Sequence, residues 1–113
     1  MKILTKEEIL AAEDIPTQVV DVPAWGGAVR VAGMSLGKRN EMMRKIKGKD
    51  GEIDPEKASL EAFVTGVVEP KFTREDFDAL RQKSASAIDD VTKVFLELSG
   101  VGEDATESAE KNS

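Results

Sequence analysis

Residues 18–34 read QVVDVPAWGGAVRVAGM, and this stretch decides the architecture. Gln18 to Val22 is short and rich in β-branched residues, and Ala28 to Met34 is a second extended run. In the second run Val29 and Val31 fall on one side and Arg30 and Ala32 on the other. That period-two alternation marks a half-buried strand. Between the runs stands Val22-Pro23-Ala24-Trp25-Gly26-Gly27. Pro23 fixes φ and the glycine pair accepts positive φ, so the chain reverses there. The stretch predicts a β-hairpin with Trp25 near its tip.

Away from the hairpin the periodicity becomes helical. Upstream, Thr5-Lys6-Glu7-Glu8 reads as a capping box. It predicts a short surface helix from about Lys6 to Ala12, gripped only by Ile9 and Leu10 and ended by Pro16. Downstream, Ser35 is the cap of a helix from Leu36 to Lys47, with Leu36, Met43 and Ile46 near one face. Gly48-Lys49-Asp50-Gly51 closes it as a turn. Asp54-Pro55-Glu56-Lys57 opens the next helix: cap, proline in the first turn, acid at the positive end of the dipole. Leu60, Phe63, Val64, Val67 and Val68 follow at i, i+3, i+4, i+7 and i+8, which predicts an amphipathic helix halted by Pro70. Gly66, near its end, would admit a neighbouring backbone closely. Thr73-Arg74-Glu75-Asp76 starts a short helix to about Gln82, anchored by Phe72, Phe77 and Leu80. Ser84 or Ser86 caps a last helix ending before Gly100, with the stripe Ile88, Val91, Phe95 and Leu98. The expected fold is α+β: a β-hairpin packed against about four helices over residues 1–100. Residues 101–113, VGEDATESAEKNS, are polar and net negative, and are expected to form a disordered acidic tail.

Composition narrows the function. The 113 residues include no cysteine and no histidine. The commonest nucleophile, the commonest general base and the usual transition-metal ligands are therefore missing, and no enzyme is expected. The glycine pair at Gly26-Gly27 lacks the further glycines and following helix of a phosphate loop. Lys49 to Asp54 imitates a calcium loop, but a helix cap and Pro55 interrupt the ligand pattern. Glu75/Asp76 sits at a helix start, where dipole complementarity accounts for it. No cofactor and no metal are expected. With 16 basic against 22 acidic residues the net charge is −6, and only one Trp and four Phe are available for stacking. Nucleic acid is thus an unexpected partner. Only Ile3 and Leu4 are apolar before charges interrupt MKILTKEEIL, so no signal-peptide core is read there. No run approaches the about 18 apolar residues of a membrane span, and a cytoplasmic protein with no membrane partner is expected.

What remains points to protein binding. Lys38, Arg39, Arg44, Lys45, Lys47 and Lys49 form either a solvated helix face or a docking surface for an acidic segment. Trp25 either folds back over the hairpin into the core or stands as an exposed anchor of the kind enriched at interfaces. Met34, Met42 and Met43 either fill the core or offer an adaptable surface. The candidate partner-binding residues are Trp25, Met34, Lys38, Arg39, Met42, Met43 and Arg44.

The order of these motifs resembles a known family. It comprises the PAWGG turn at residues 23–27, the strand Val29-Arg30-Val31, the helix opening at Ser35 to Arg39, and EAFVTGVVEP at 61–70. KFTREDFDAL at 71–80, KSASAIDDVTKVFLELSG at 83–100 and the acidic tail complete it. Over about Leu4 to Gly100 the chain resembles the tail assembly chaperones of long-tailed bacteriophages and related prophages. It departs from their pattern in the Lys/Gly-rich connection at Gly48 to Gly51 and at Val68-Glu69-Pro70-Lys71, where relatives carry an Asp- and Gly-containing turn. The resemblance implies a non-structural factor of the host bacterial cytoplasm. Such a factor binds the tape measure protein, shields its apolar helical surface and helps recruit the tail tube protein. Self-association would let many weak contacts hold a long repeating client. The contrasting readings are a structural tail or head–tail connector protein and a small cytoplasmic adaptor or regulator.

Overall fold

A computed structural model describes residues 1–101. The expected disordered tail lies, beyond Val101, outside the described residues. The elements run α1 (Lys6–Ala11), β1 (Thr17–Val22), β2 (Gly27–Ala32), α2 (Leu36–Lys45), α3 (Pro55–Gly66), β3 (Val67–Glu69), α4 (Phe77–Leu80) and α5 (Ala85–Leu98). The fold is α+β, with five helices and one antiparallel sheet of order β1-β2-β3 among the described residues.

The hairpin forms as its sequence predicts. β1 and β2 pair from Thr17 opposite Ala32 to Val22 opposite Gly27. A single turn of 3-10 helix at Pro23–Trp25 joins them, and Gly26 closes it at φ 73° with its N–H donating to the Pro23 carbonyl at 3.1 Å. The caps are also in place. Thr5 and Glu8 form the reciprocal capping box of α1, Ser35 caps α2, Asp54 caps α3, and Ser84 rather than Ser86 caps α5.

Several expectations are corrected. The helix predicted to run to Pro70 stops at Gly66, and Val67–Glu69 forms a third strand against β2. Val67 and Val68 are β-branched, and Pro70 disfavours helical geometry in the residue before it. Turning extended at Val67 keeps that side chain in the core while its backbone pairs with the fully buried Val31. In α2 the buried face carries Met42 and Ile46, whereas Leu36 and Met43 are 67% and 40% exposed. The i, i+4 pair faces α3, and Leu36 and Met43 stand about a quarter turn round the helix. The helix also ends at Lys45, two residues early, because Lys47 bridges to Ile53 across the turn.

Phe63, Phe95, Val31, Val67 and Val91 are the largest fully buried side chains, and they come from α3, α5 and the sheet. Gly66 lets α5 approach. A Cβ built there would lie 2.6 Å from Cγ and 2.7 Å from Cδ1 of Phe95. The close neighbour is this ring, not the backbone expected. Ser99 fastens the other end of α5: its hydroxyl accepts from the Met34 N–H at 3.0 Å and donates to the Phe95 carbonyl at 2.7 Å.

One carboxylate is buried. Glu61 on α3 accepts from Nε and Nη2 of Arg74 at 3.0 and 2.6 Å, pinning the segment before α4. Its side chain is 4% exposed and that of Arg74 is 61% exposed. Arg81 then ties α4 back to the start of α3 by bonding both Glu56 and Asp78.

These contacts give three expected outcomes in urea unfolding. Gly66→Ala forces a methyl into a ring with no room to yield and lowers stability by about 1–3 kcal/mol. Arg74→Ala strands the buried Glu61 carboxylate and lowers stability by about 2–3 kcal/mol, less than a fully buried pair would because Arg74 already reaches water. Glu61→Gln releases an arginine that already reaches water and has the smaller effect, about 1–2 kcal/mol. Equal losses from the last two variants would contradict this assignment.

Candidate partner-binding site

α2 begins where the Ser35 hydroxyl accepts from the Lys38 N–H at 3.2 Å. From that start Lys38, Glu41, Met42 and Lys45 recur at i, i+3, i+4 and i+7, so one stripe of the helix carries them all. The stripe meets Val64 and Thr65 of α3, together with Lys71 from the segment after β3. These seven residues line a cleft of about 180 Å³. Met42 and Val64 supply apolar surface, and Lys38, Lys45, Lys71 and Glu41 supply charge. Three lysines against one glutamate leave a local excess of positive charge on a molecule whose net charge is −6.

Lys45 Nζ lies 2.8 Å from Glu41 Oε1. That hydrogen bond, and the ammonium charge behind it, hold the Glu41 carboxyl below its ordinary value of 4.5. The pair therefore persists above the usual carboxylate range and is lost as pH falls through the lowered value. Protonating Glu41 removes the one negative side chain of the cleft lining. Both residues are solvent-exposed, so the pair orients Lys45 more than it stabilises the fold. Chemically, the cleft offers room for an apolar side chain flanked by carboxylates. Such a ligand resembles one face of an amphipathic helix.

The seven sequence-predicted residues do not form one site. Lys38 and Met42 line the cleft. Met42 also belongs to the core, with Met34 half-buried and packed against it. Arg39 and Met43 share an exposed stripe of α2 with Leu36, and Arg44 is exposed on another side of that helix. Trp25 is half-buried and packs against the core, its ring edge-on to Phe63 at 5.8 Å and 87°. Phe63 in turn meets Phe72 at 5.3 Å, so the hairpin tip, α3 and the segment after β3 share one aromatic contact chain.

Glu41, Val64, Thr65 and Lys71 were missed, and Lys45 was counted in the basic cluster but not among the candidates. The i, i+3, i+7 relation of Lys38, Glu41 and Lys45 was readable in the spacing. Lys71 was not, because only the reversal through β3 brings it to α2.

Carboxylates elsewhere serve the backbone. Asp50 Oδ1 accepts from the Glu52 N–H at 3.0 Å, and Asp54 Oδ1 from those of Glu56 and Lys57 at 3.0 and 3.2 Å. Among the described residues no group of three or more acidic side chains is placed to hold a metal ion, and no helix is long and apolar enough to cross a membrane. Comparison of the chain with protein-family models, curated proteins and solved structures returns no match.

The placement of Trp25 predicts that Trp25→Ala acts first on stability. Removing a half-buried indole from Phe63 lowers unfolding free energy by about 2–3 kcal/mol. Thermal melting checks this. An unchanged melting temperature would make Trp25 a surface residue instead.

Proposed function

We propose that the chain is a phage tail assembly chaperone that acts in the host bacterial cytoplasm. In this reading it binds the tape measure protein, keeps it soluble, and helps recruit the tail tube protein. Support comes from the ordered series of motifs between Leu4 and Gly100. The observation that carries the reading is the α2–α3 cleft, where Met42 and Val64 lie among Lys38, Lys45 and Lys71.

A tape measure protein is long and helical, and its apolar stripe aggregates when uncovered. A chaperone for such a client needs contacts that recognise a class of surface rather than one sequence. Apolar floor and cationic rim suit helices whose apolar stripe is bordered by Asp and Glu. Flexible methionine tolerates variation in the side chain received. Exposed Leu36, Arg39 and Met43 extend the same mixed character along α2. Each contact is individually weak, which suits a helper that must leave before the tail is finished.

Co-expression tests the proposal. With this chain present, the tape measure protein should stay in the soluble fraction and co-purify. The double variant Lys38→Glu/Lys45→Glu should reduce co-purification on the order of tenfold with an unchanged circular dichroism spectrum. Client that stays insoluble beside the wild-type chain, or a double variant that binds as well as wild type, counts against the reading. Recovery of this polypeptide from mature particles would favour a structural tail component.

A further inference from the structure

One edge of the sheet is open. Among the described residues β1 pairs with β2 alone, and Thr17, Gln18, Val19 and Asp21 are exposed. The alternation of hydrogen bonds says which backbone groups face outward. Gly33 N–H donates to the Pro16 carbonyl at 2.9 Å, and this pair continues the register in which Thr17 faces Ala32. Hydrogen-bonded and non-hydrogen-bonded pairs alternate along an antiparallel ladder. Gln18, Val20 and Val22 therefore bond to β2, while Thr17, Val19 and Asp21 turn their N–H and C=O groups to the open side. Proteins usually blunt such an edge with charged side chains, lysine above all, with proline or with a bulge. β1 contains no lysine, no proline and a regular register, and Asp21 is its one charge.

We propose that the open edge is filled by β1 of a second copy of this chain, running antiparallel across a two-fold axis at Val19. The side chains select that register. Centred on Val19, it sets Val19 opposite Val19, Thr17 opposite Asp21, and Gln18 opposite Val20. The exposed valines pair with each other, and a hydroxyl donor faces a carboxylate. Centring on Asp21 would oppose two carboxylates, and centring on Val20 would oppose Val19 to Asp21, both unfavourable across a strand pair. A self-complementary strand is what an isologous interface requires.

Strand pairing alone buries less than the about 1,200–2,000 Å² of a stable interface. The missing apolar area lies just before it in the chain. Seven of the eleven exposed large hydrophobic residues among the described residues fall within the first nineteen: Met1, Ile3, Leu4, Ile9, Leu10, Ile15 and Val19. α1 carries a complete N-terminal capping box, yet it buries none of its residues against its own body. A helix folded but unpacked, just ahead of an open strand, supplies the flank of the same interface. The result is a six-stranded sheet, β3-β2-β1-β1-β2-β3.

The absence of cysteine gives a clean test. Opposed side chains of a hydrogen-bonded antiparallel pair start about 5.5 Å apart, wider than the about 3.5–4.5 Å between the Cβ atoms of a disulfide, so a short bismaleimide is the fitting cross-linker. Full-length Val19→Cys should cross-link to itself with that reagent. Thr17→Cys and Asp21→Cys should each fail alone and cross-link when mixed. Sedimentation of the wild-type chain without client should show a dimer, and Val19→Lys should weaken it at least tenfold with an unchanged circular dichroism spectrum. A wild-type chain monomeric at every concentration overturns the proposal, as does a dimer indifferent to Val19→Lys or cysteines that cross-link without regard to register. Protection of β1 that appears only on adding client would put a client strand there and overturn it too. Client is absent from the dimer measurements, so their failure leaves the α2–α3 cleft reading standing.

Discussion

Phe95 lies fully buried against a residue that has no side chain, and much of the architecture follows from that contact. Gly66 is the last residue of α3. Because α5 comes so close there, α3 ends inside the core and not at its surface. The chain then leaves the helix as Val67, already buried, and pairs with the extended backbone of β2. β3 forms on that side of β2, which leaves β1 as the opposite edge. One absent methyl group thus links helix packing to sheet order. A larger residue would push α5 outward and, with it, the Ser99 clasp on Met34 that locates the start of α2.

The position of α2 depends on the turn that follows it. Gly48 N–H donates to the Glu52 carbonyl at 2.7 Å, and Asp54 N–H donates to the Ile46 carbonyl at 2.9 Å. These bonds return the chain directly into the Asp54 cap, so α3 comes back alongside α2. Met42 and Ile46 then pack inward, and the lysine stripe is left at the lip of the interhelical groove. Placing positive charge there on an acidic protein has a physical consequence. The potential at the cleft opposes that of the surrounding surface, so acidic groups are drawn to one place and repelled elsewhere. Such attraction weakens within a Debye length of about 8 Å at physiological ionic strength. It guides encounter, while the apolar floor provides salt-resistant contact.

Features fixed by neighbouring residues were legible in the sequence. The hairpin, the capping boxes at Thr5 and Thr73, the Asp54-Pro55 start and the Ile88–Val91–Phe95–Leu98 stripe each depend on a few consecutive positions, and each is present. β3 was not legible, because Val67 and Val68 satisfy a helical period and an extended run equally well. Only the partner strand distinguishes the two. The face of α2 was misjudged for a related reason: Leu36, Met42, Met43 and Ile46 give two apolar stripes, and sequence spacing does not say which one meets α3. Most of the candidate site failed for reasons of the same kind. Lys38 and Met42 belong to the cleft, but Lys71 reaches it through a strand that periodicity had assigned to a helix.

The cleft and the open edge are built from different elements, and that separation matters for a long client. Lys71 follows β3 by two residues, so the cleft lies on the β3 side of the sheet. β1 is two strand spacings away, about 10 Å. Pairing at β1 therefore leaves the cleft uncovered and presents two clefts per dimer, related by the two-fold axis. For a client with repeated amphipathic turns, the second cleft binds at the effective concentration set by a rigid sheet rather than by bulk solution. Weak individual contacts can then hold a long helix, and each can still release when another protein competes for its turn of that helix. A single tight site would protect one segment and resist that replacement. Weak clefts joined through an independent strand interface meet both demands.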